Sequence, residues 1–370
     1  MERSNIRVLI AGGGTGGHVY PALATIEALK KQGVTQFLYV GGKKGIETKI
    51  VPKYGIPMET IWISGIARSF TLKNLLFPFK MMSSLLNSWR IVSNFKPHVA
   101  IGTGGYVSGP ILFAAAKRGV PVLIQEQDVH PGVTTRLLAK YAKTICLAFP
   151  AAVEKFREMA EKLKVTGNPV RQDLGKLSKN EGRDIWKLAQ NRQTIFIFGG
   201  SQGARSINIA MQNLLPKLLK TYDLQVIWQT GESQYQSVVE SVAIDPKRVK
   251  VVPYVQDMDA AYAAADLVIC RAGALTLAEL AIVQKPAILI PYPFAAGDHQ
   301  IHNSRMIETA GAATMIPEGE GWESRLQSAI ENALNKPELL AQQQHAWQPL
   351  ARPNAARDIA AAALSLVENR

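Results

Sequence analysis

The chain has 370 residues, too many for one compact core and a suitable number for two domains. With 47% apolar and 19% charged residues it is typical of a globular protein. Its two cysteines, Cys146 and Cys270, are far apart in apolar contexts and are expected to be buried thiols rather than a disulfide. The net charge of +13 is concentrated in residues 1–150, which contain 18 basic and 6 acidic residues. A basic surface of this kind predicts nucleic acid or anionic lipid as a partner, and a basic surface that only contacts solvent is the alternative.

The first predicted strand is Val8–Ala11, which a glycine-rich loop, G-G-G-T-G-G-H, connects to a helix over Ala22–Lys31. Residues 12–17 have the G-x-G-x-x-G form of the dinucleotide fingerprint. However, the second strand, Phe37–Val40, ends in two glycines where that fingerprint needs an acid, so NAD binding is disfavoured. The loop predicts an anion site made of backbone N–H groups, or a tight turn alone.

His18 follows this loop, at the start of the helix. The positive end of a helix dipole disfavours a cationic ring, so we expect a neutral imidazole. Beside an anion site, a neutral imidazole is a candidate general base, and an ordinary N-terminal histidine is the alternative.

Residues 62–96 interleave Leu, Phe, Met and Trp with isolated basic residues and contain no acidic residue. This composition predicts a segment that lies on anionic lipid, and the alternative is a buried helix with a basic edge. Lys73, Lys80 and Arg90 are the basic residues through which we expect contact with lipid.

Apolar runs of strand length alternate with helical stretches through the rest of the chain. The further predicted strands are Val99–Gly102, Val122–Gln125, Thr144–Leu147, Thr194–Phe198, Gln225–Gln229, Val249–Val252, Leu267–Cys270 and Ala287–Ile290, and the predicted helices include Pro110–Lys117, Asp257–Ala265, Leu275–Ala281 and an Ala-rich tail, Ala355–Val367. This alternation predicts βαβ units and parallel sheets.

The second half opens as the first does, with a strand, the glycine-rich turn G-G-S-Q-G-A-R and a helix. We therefore predict two Rossmann-like domains that join near Thr166–Asp173, each with ligands at the carboxyl ends of its strands. The position of the tail helix is not fixed by the sequence.

The same turn contains G-x-S-x-G over residues 199–203, the form of a serine hydrolase's nucleophile elbow. Ser201 is then the nucleophile, with Asp298 and His299 as candidate partners. In the other interpretation, the Ser201 hydroxyl donates a hydrogen bond to a phosphate.

Asp257 and Asp259 form a D-x-D pair of the kind that binds metals. Acidic residues in the first turn of a helix are stabilised by capping and by the helix dipole, which explains the pair without a metal. Cysteine and histidine spacing gives no zinc site, so we predict no metal.

Five motifs fall in order across residues 7–305: G-G-T-G-G-H-V-Y-P-A-L-A, I-G-T-G-G-Y-V-S-G-P, V-T-G-N-P-V-R, G-G-S-Q-G-A-R-S-I-N and C-R-A-G-A-L-T-L-A-E-L. Together they resemble the MurG family of glycosyltransferases. The resemblance implies an α/β protein of GT-B fold, with two Rossmann-like domains, 1–168 and 169–348, facing across a cleft, and a C-terminal helix, 349–370, that returns to the first domain.

The resemblance also implies an inverting transfer of N-acetylglucosamine (GlcNAc) from UDP-GlcNAc to the C4 hydroxyl of the muramyl sugar of lipid I, which gives lipid II in peptidoglycan synthesis. The alternatives are a UDP-GlcNAc 2-epimerase of the same architecture, a serine hydrolase using Ser201, and a non-catalytic nucleotide-binding scaffold.

The implied partners are UDP-GlcNAc, lipid I, the anionic inner leaflet through residues 62–96 and other cell-wall synthesis proteins, but not nucleic acid. No cofactor and no obligatory divalent metal are expected. The implied location is peripheral, at the cytoplasmic face of the bacterial inner membrane.

The resemblance assigns functional residues position by position. His18 and Glu126 are the catalytic candidates. The predicted UDP-GlcNAc contacts are Thr15, Gly16, Gly17, Asp128, Arg171, Ser201, Val255, Ala274, Leu275, Thr276, Leu277, Ala278, Glu279 and Gln300, and the predicted acceptor side comprises Gly14, Gly104, Gly105, Tyr106 and Asn208.

Within this set the roles differ, and Thr15, Gly16 and Gly17 are expected to border both the sugar nucleotide and the acceptor diphosphate. Arg171 and Ser201 are expected at the nucleotide diphosphate, the backbone of Val255 at the uracil, Glu279 at the ribose hydroxyls and Gln300 at the GlcNAc hydroxyls.

One stretch departs from the family pattern, because the chain reads Q-E-Q-D where the family often reads H-E-Q-N. Gln125 removes a second candidate base, which shifts the expected proton transfer to His18. Asp128 places an acid where the family has a neutral amide.

Overall fold

The computed structural model describes residues 2–64, 77–171, 173–241 and 245–368, with the backbone alone at residue 296. The chain divides into two compact units, Met1–Arg171 with Arg352–Arg370, and Gln172–Ala351. The predicted domain boundaries, after residues 168 and 348, lie slightly earlier in the chain.

The first unit is built on a parallel sheet with the strand order β3-β2-β1-β4-β5-β6-β7. Its strands are β1 (Arg7–Ala11), β2 (Gln36–Gly42), β3 (Met58–Ile61), β4 (Val99–Gly102), β5 (Val122–Glu126), β6 (Thr144–Leu147) and β7 (Leu163–Val165). Its described helices are α1 (Gly16–Lys31), α2 (Glu47–Ile50), α3 (Phe77–Phe95), α4 (Ser108–Lys117) and α5 (Val133–Leu138), with short 3-10 helices at Arg3–Asn5, Val51–Tyr54, Ala139–Tyr141 and Pro150–Lys162.

The second unit repeats this plan with a parallel sheet of order β10-β9-β8-β11-β12-β13. Its strands are β8 (Gln193–Phe198), β9 (Leu224–Gln229), β10 (Val249–Val252), β11 (Leu267–Cys270), β12 (Ala287–Leu289) and β13 (Ala313–Met315). Its helices are α6 (Lys179–Ile185), α7 (Arg205–Thr221), α8 (Glu232–Ser241), α9 (Met258–Ala264), α10 (Ala274–Val283), α11 (His299–Thr309), α12 (Trp322–Asn335) and α13 (Pro337–Ala346), with 3-10 turns at Ala296–Asp298 and Gln348–Leu350.

The last helix, α14 (Ala355–Glu368), belongs to the first unit, as the resemblance implied. Its alanines favour helix, and its apolar face recurs at helical spacing. Ile359 on that face is fully buried, in one core cluster with Ile26 and Leu29 of α1. The C-terminal segment therefore completes the core of the N-terminal unit.

The ten predicted strands are confirmed, with ends displaced by at most two residues. The strands that the sequence did not reveal, β3, β7 and β13, each lie at the edge of a sheet. Helix α1 begins at Gly16, earlier than predicted, because Gly16 and Gly17 form its first turn. Both cysteines are buried free thiols, and burial raises the pKa of Cys146 to about 12.

None of the helices within the described ranges has both the length and the apolar character needed to cross a bilayer.

Candidate active site

Two glycine-rich loops touch at the carboxyl end of the first sheet, since β1 and β4 are neighbours. Gly14 adopts φ +88° and Gly105 φ +80°, left-handed values that favour glycine. A Cβ on Gly12 would overlap the Thr103 hydroxyl, and a Cβ on Gly105 would overlap the Gly13 carbonyl. Glycine is needed here because the two backbones pack directly against each other.

The first loop leads into the N-terminus of α1. Thr15 is the N-cap residue in extended conformation, and its side chain does not cap the helix. The N–H groups of Gly16 and Gly17 lie in the first helical turn, where no intrahelical acceptor exists. With the helix dipole behind them, such N–H groups favour an anion.

His18 is half-buried beside these N–H groups and is held on two sides. Its Nδ1 lies 3.0 Å from the Thr15 Oγ1, and its carbonyl accepts a 2.7 Å hydrogen bond from the Thr103 hydroxyl. A Cβ on Gly104 would overlap the His18 ring. The hydrogen bond to Nδ1 orients the imidazole, as a general base requires.

Glu126 ends β5 and is only 4% exposed. Its carboxylate accepts hydrogen bonds from the N–H groups of Asp128 and Gly132, both at 3.1 Å. Burial raises the pKa of Glu126 to about 7, and the Asp128 charge acts in the same direction. The hydrogen bonds from Thr135 and from the loop N–H groups lower the pKa and offset part of this effect. This geometry favours a carboxyl that positions its loop over one that exchanges protons with substrate.

Gln125 is fully buried, and both ends of its amide are occupied. Its Nε2 donates to Asn168 Oδ1 at 2.8 Å, and its Oε1 accepts from Gln127 Nε2 at 2.7 Å. Gln127 Nε2 also bonds to the Thr103 carbonyl, and Asn168 donates to the Gln127 carbonyl. The Gln125 amide therefore belongs to a buried hydrogen-bond network that joins the end of β5 to Asn168 and Gln127.

Three other predicted residues of the first unit lie near the same loops. Tyr106 is 55% exposed just before α4, and Asp128 is half-buried in the loop after β5. The Arg171 guanidinium lies over the ring of Tyr20 on α1, 5.6 Å from its centroid.

The second unit has an equivalent glycine loop between β8 and α7. Gly200 and Gly203 have φ +90° and +75°, and Ser201 is exposed between them. Gln229 ties this loop to its neighbour, since its Nε2 donates to the Gly200 carbonyl and its Oε1 accepts from Val255 N–H, both at 2.8 Å. The Val255 N–H is therefore already used, which leaves its carbonyl for the predicted uracil contact.

The surroundings of Ser201 bear on the hydrolase alternative. Within the described residues its hydroxyl forms no hydrogen bond to a histidine, which a serine nucleophile needs for activation. The exposed hydroxyl remains suited to donate to a phosphate.

Residues 274–279, predicted under the nucleotide, form the first turns of α10 after Gly273. Ala274, Leu277 and Glu279 are buried, whereas Leu275, Thr276 and Ala278 are partly exposed. Glu279 Oε2 accepts a 3.0 Å hydrogen bond from the Tyr262 hydroxyl, which fixes the carboxylate.

Gln300 lies in the first turn of α11, and its Oε1 accepts the Tyr292 N–H at 2.9 Å. This bond fixes the side-chain amide next to the loop that follows β12.

Asn208, predicted on the acceptor side, is 2% exposed inside the second unit. Its Nδ2 donates to the Thr230 carbonyl at 2.9 Å and its Oδ1 accepts from the Trp228 indole at 3.0 Å. The side chain joins α7 to β9 and has no exposed polar atom with which to contact an acceptor, so the structure corrects this assignment to a structural role.

The D-x-D pair is explained by local hydrogen bonds. Asp257 caps α9 through Ala260 N–H, and Asp259 accepts three backbone N–H groups from residues 175–177. Across the described ranges no three His, Cys, Asp or Glu side chains gather as a metal site.

Arg271 is a buried residue that the sequence analysis did not single out, although it stands within a family motif. It forms an ion pair with Glu318, donates to Ser206 Oγ at 2.8 Å and lies 5.4 Å from the centre of the Tyr292 ring. Ser206 in turn donates to Glu318 at 2.6 Å. This network joins the start of α7, behind the glycine loop, to the loop that carries Tyr292.

The chain matches both domains of one glycosyltransferase family. Residues 8–147 match the glycosyltransferase family 28 N-terminal domain, and residues 194–361 match the family 28 C-terminal domain.

Relatives of similar length carry one name, UDP-N-acetylglucosamine–N-acetylmuramyl-(pentapeptide) pyrophosphoryl-undecaprenol N-acetylglucosamine transferase. The protein of Thermoanaerobacter sp. (strain X514) is 41% identical, over 96% of this chain and 98% of its own length. That of Salinibacter ruber is also 41% identical, over 98% of this chain and 97% of its own length.

Among solved structures, Acinetobacter baumannii MurG is 31% identical with a TM-score of 0.77, over 97% of this chain and 99% of its own. A Neisseria meningitidis UDP-GlcNAc 2-epimerase bound to UDP-GlcNAc has a TM-score of 0.67 over 99% of this chain and 100% of its own. At 14% identity this second likeness concerns the fold alone.

Proposed function

The chain belongs to glycosyltransferase family 28, with the GT-B fold of MurG, and on that premise we propose that it transfers GlcNAc from UDP-GlcNAc to lipid I. The product is lipid II, the disaccharide precursor of peptidoglycan. The observation that carries the proposal is the agreement in name of relatives about 40% identical over nearly the whole chain.

The first glycine loop is proposed to hold the acceptor. Its diphosphate would lie on the N–H groups of Thr15, Gly16 and Gly17 at the start of α1, where the helix dipole favours negative charge. The His18 imidazole, held at Nδ1 by Thr15, then accepts the proton of the attacking C4 hydroxyl. Thr103 and Gly104 position the imidazole from the neighbouring loop.

The second glycine loop is proposed to hold the donor. UDP leaves with growing negative charge on its diphosphate, and N–H groups at the start of α7, with the Ser201 hydroxyl, stabilise that charge. The resemblance assigns Arg171, whose guanidinium lies over the Tyr20 ring, to the nucleotide diphosphate as a cation. The Glu279 carboxylate would accept hydrogen bonds from the ribose hydroxyls, and the Gln300 amide NH2 group would donate to the GlcNAc hydroxyls.

Helix α3 supports docking on a membrane. Its exposed side chains Phe79, Met82, Leu86 and Trp89, here called the apolar stripe, are between 41% and 70% exposed and recur every three or four residues. Lys80 lies 5.8 Å from the Trp62 ring centre and Arg118 lies 5.5 Å from that of Trp89. Lys73, the third basic residue expected at lipid, lies outside the described residues.

An apolar stripe with basic residues around it fits an anionic lipid surface. Lipid I is anchored in a bilayer by its polyprenyl chain, so such docking would bring the first glycine loop to its acceptor. We propose on this ground that the protein lies peripherally on the membrane that carries lipid I, which the family resemblance assigns to the cytoplasmic face of the inner membrane.

The deciding experiment incubates purified protein with labelled UDP-GlcNAc in EDTA, with and without a short-chain lipid I analogue. We expect UDP release and label transfer only when the acceptor is present, without added metal, since N–H groups and Arg171 neutralise the diphosphate. Formation of UDP-ManNAc without acceptor would favour the epimerase alternative. Binding of UDP-GlcNAc without turnover, even with magnesium restored, would favour the scaffold alternative.

A further inference from the structure

Glu47, in the first turn of α2, is fully buried beneath the first glycine loop. Its Oε2 accepts the Gly14 N–H at 3.0 Å, and its Oε1 accepts the Gly42 N–H at 2.8 Å. One carboxylate therefore ties the loop after β1 to the end of β2.

The surrounding glycines make room for this carboxylate. A Cβ on Gly13 or Gly45 would overlap its oxygens, and a Cβ on Gly41 would lie 2.6 Å from its Cγ. The glycines that end β2, where a dinucleotide fingerprint has its acid, are thus explained by an acid that reaches the same place from residue 47.

Glu47 acts together with Tyr39 on the inner side of the loop. The Tyr39 hydroxyl donates to the Gly12 carbonyl at 2.7 Å. Burial, and next the Glu47 charge, hold the pKa of the Tyr39 phenol above its usual value, so this hydroxyl remains a donor. The inner side of the loop is thereby fixed at Gly12 and at Gly14, immediately before Thr15.

We propose that Glu47 is a positioning residue for the transfer, which fixes the first glycine loop so that Thr15 and His18 meet the acceptor in the reactive geometry. The inference rests on the proposed function. With the Gly14 N–H occupied by Glu47, the donors left for the acceptor diphosphate begin at Thr15, one residue before the helix. A displacement of about 1 Å in such a site can reduce the rate about 100-fold.

The test compares Glu47→Gln and Glu47→Asp with the unchanged protein. Glutamine keeps the size of the side chain, but its NH2 group must face one of the two N–H donors. Aspartate keeps both acceptor oxygens but is one methylene shorter. Val51→Ala is the control, because Val51 is a fully buried side chain of the neighbouring turn that leaves the Glu47 hydrogen bonds intact.

The measurements are kcat and KM for a short-chain lipid I analogue, the Kd for UDP by calorimetry, and the Tm. We expect kcat/KM for the acceptor to fall at least tenfold in Glu47→Gln and by a smaller factor, about threefold or more, in Glu47→Asp, with the Kd for UDP unchanged within twofold. Val51→Ala should lower the Tm and leave kcat/KM near that of the unchanged protein.

Wild-type acceptor kinetics in Glu47→Asp and Glu47→Gln, or a loss that Val51→Ala reproduces at equal Tm, would overturn the proposal. If Glu47→Gln does not fold, Glu47→Asp alone decides between these outcomes. Failure of the proposed function is distinct, because the unchanged protein would then transfer no label to the acceptor.

Discussion

At the scale of single residues, the first glycine loop depends on contacts that are specific to side-chain atoms. Thr15 orients the His18 ring, Glu47 ties Gly14 down, and Thr103 fixes the His18 backbone. Each of these hydrogen bonds is made by a different side chain. Single substitutions should therefore separate the contributions of the three contacts to the transfer rate.

His18→Ala should lower kcat by about 10²–10⁴-fold, the usual contribution of a general base. The Kd for UDP should stay near wild type, because the His18 side chain is not among the proposed UDP contacts. Steady-state kinetics with the lipid I analogue and calorimetry with UDP measure the two quantities. A matching loss of UDP affinity would show that His18 is structural.

Glu126→Gln should change how stability depends on pH. The pKa of Glu126 is raised from 4.5 to about 7, so between these pH values the folded protein binds a proton that the unfolded chain has released. The free energy of unfolding therefore falls as pH rises through this window, by about 3 kcal/mol from this group. The variant lacks that contribution.

Urea unfolding at pH 5 and pH 8 provides the measurement. The unchanged protein should lose more stability between these pH values than Glu126→Gln does. Glu154→Gln, which removes a half-exposed carboxyl, serves as the control. A pH-independent difference between Glu126→Gln and the unchanged protein would contradict the expectation.

At the scale of elements, α3 has two different faces. Ser84, Ser88, Ile91 and Val92 are buried, while the apolar stripe faces outward. Large apolar side chains that stay exposed over three turns of a helix mark an interaction surface, and this is the physical basis of the proposed membrane contact.

Leu86→Glu should weaken binding to anionic vesicles by at least tenfold, since burial of a leucine contributes about 1.5–3 kcal/mol. Lys80→Glu and Arg90→Glu should each cost about 1 kcal/mol per basic charge removed. Vesicle co-sedimentation measures the loss. Ile209→Glu on α7, also an exposed apolar position, should bind like the unchanged protein, and equal losses from both helices would contradict a specific face.

At the scale of the whole molecule, the C-terminal helix joins the two ends of the chain in one core. Ile359→Ala should cost about 2–5 kcal/mol, as for other buried isoleucines, and the loss should fall on the first unit. Hydrogen exchange should show reduced protection of α1 and unchanged protection of β8 and β9. Uniform loss over both units would contradict this division.

The sequence predicts the central strands of both sheets well, because parallel strands covered on both faces read as continuous apolar runs. It does not predict β3, β7 and β13, since these short edge strands are partly exposed and mix polar with apolar residues. The composition of the tail predicts a helix. It does not predict that this helix packs on α1, because that contact is set by tertiary packing.

The candidate site is predicted in part. The glycine loops and His18 stand out because glycine clusters and a lone titratable ring are visible in the sequence. Glu47 and Arg271 do not, because a single buried charge follows no periodicity and its partners are backbone groups or residues tens of positions away. Asn208 and Gln125 show that a position in or beside a family motif can have a structural role, because both side chains are buried and hydrogen-bonded inside the protein.

Because α14 packs on α1, the first unit is the last to be finished during synthesis. Its helix partner emerges from the ribosome only after Gln172–Ala351 has been translated. At about 5–20 residues per second, the α1 face that covers Ile359 stays open to water for on the order of ten seconds or more. The nascent chain therefore carries an exposed apolar face on α1 for that period, until α14 is available to pack against it.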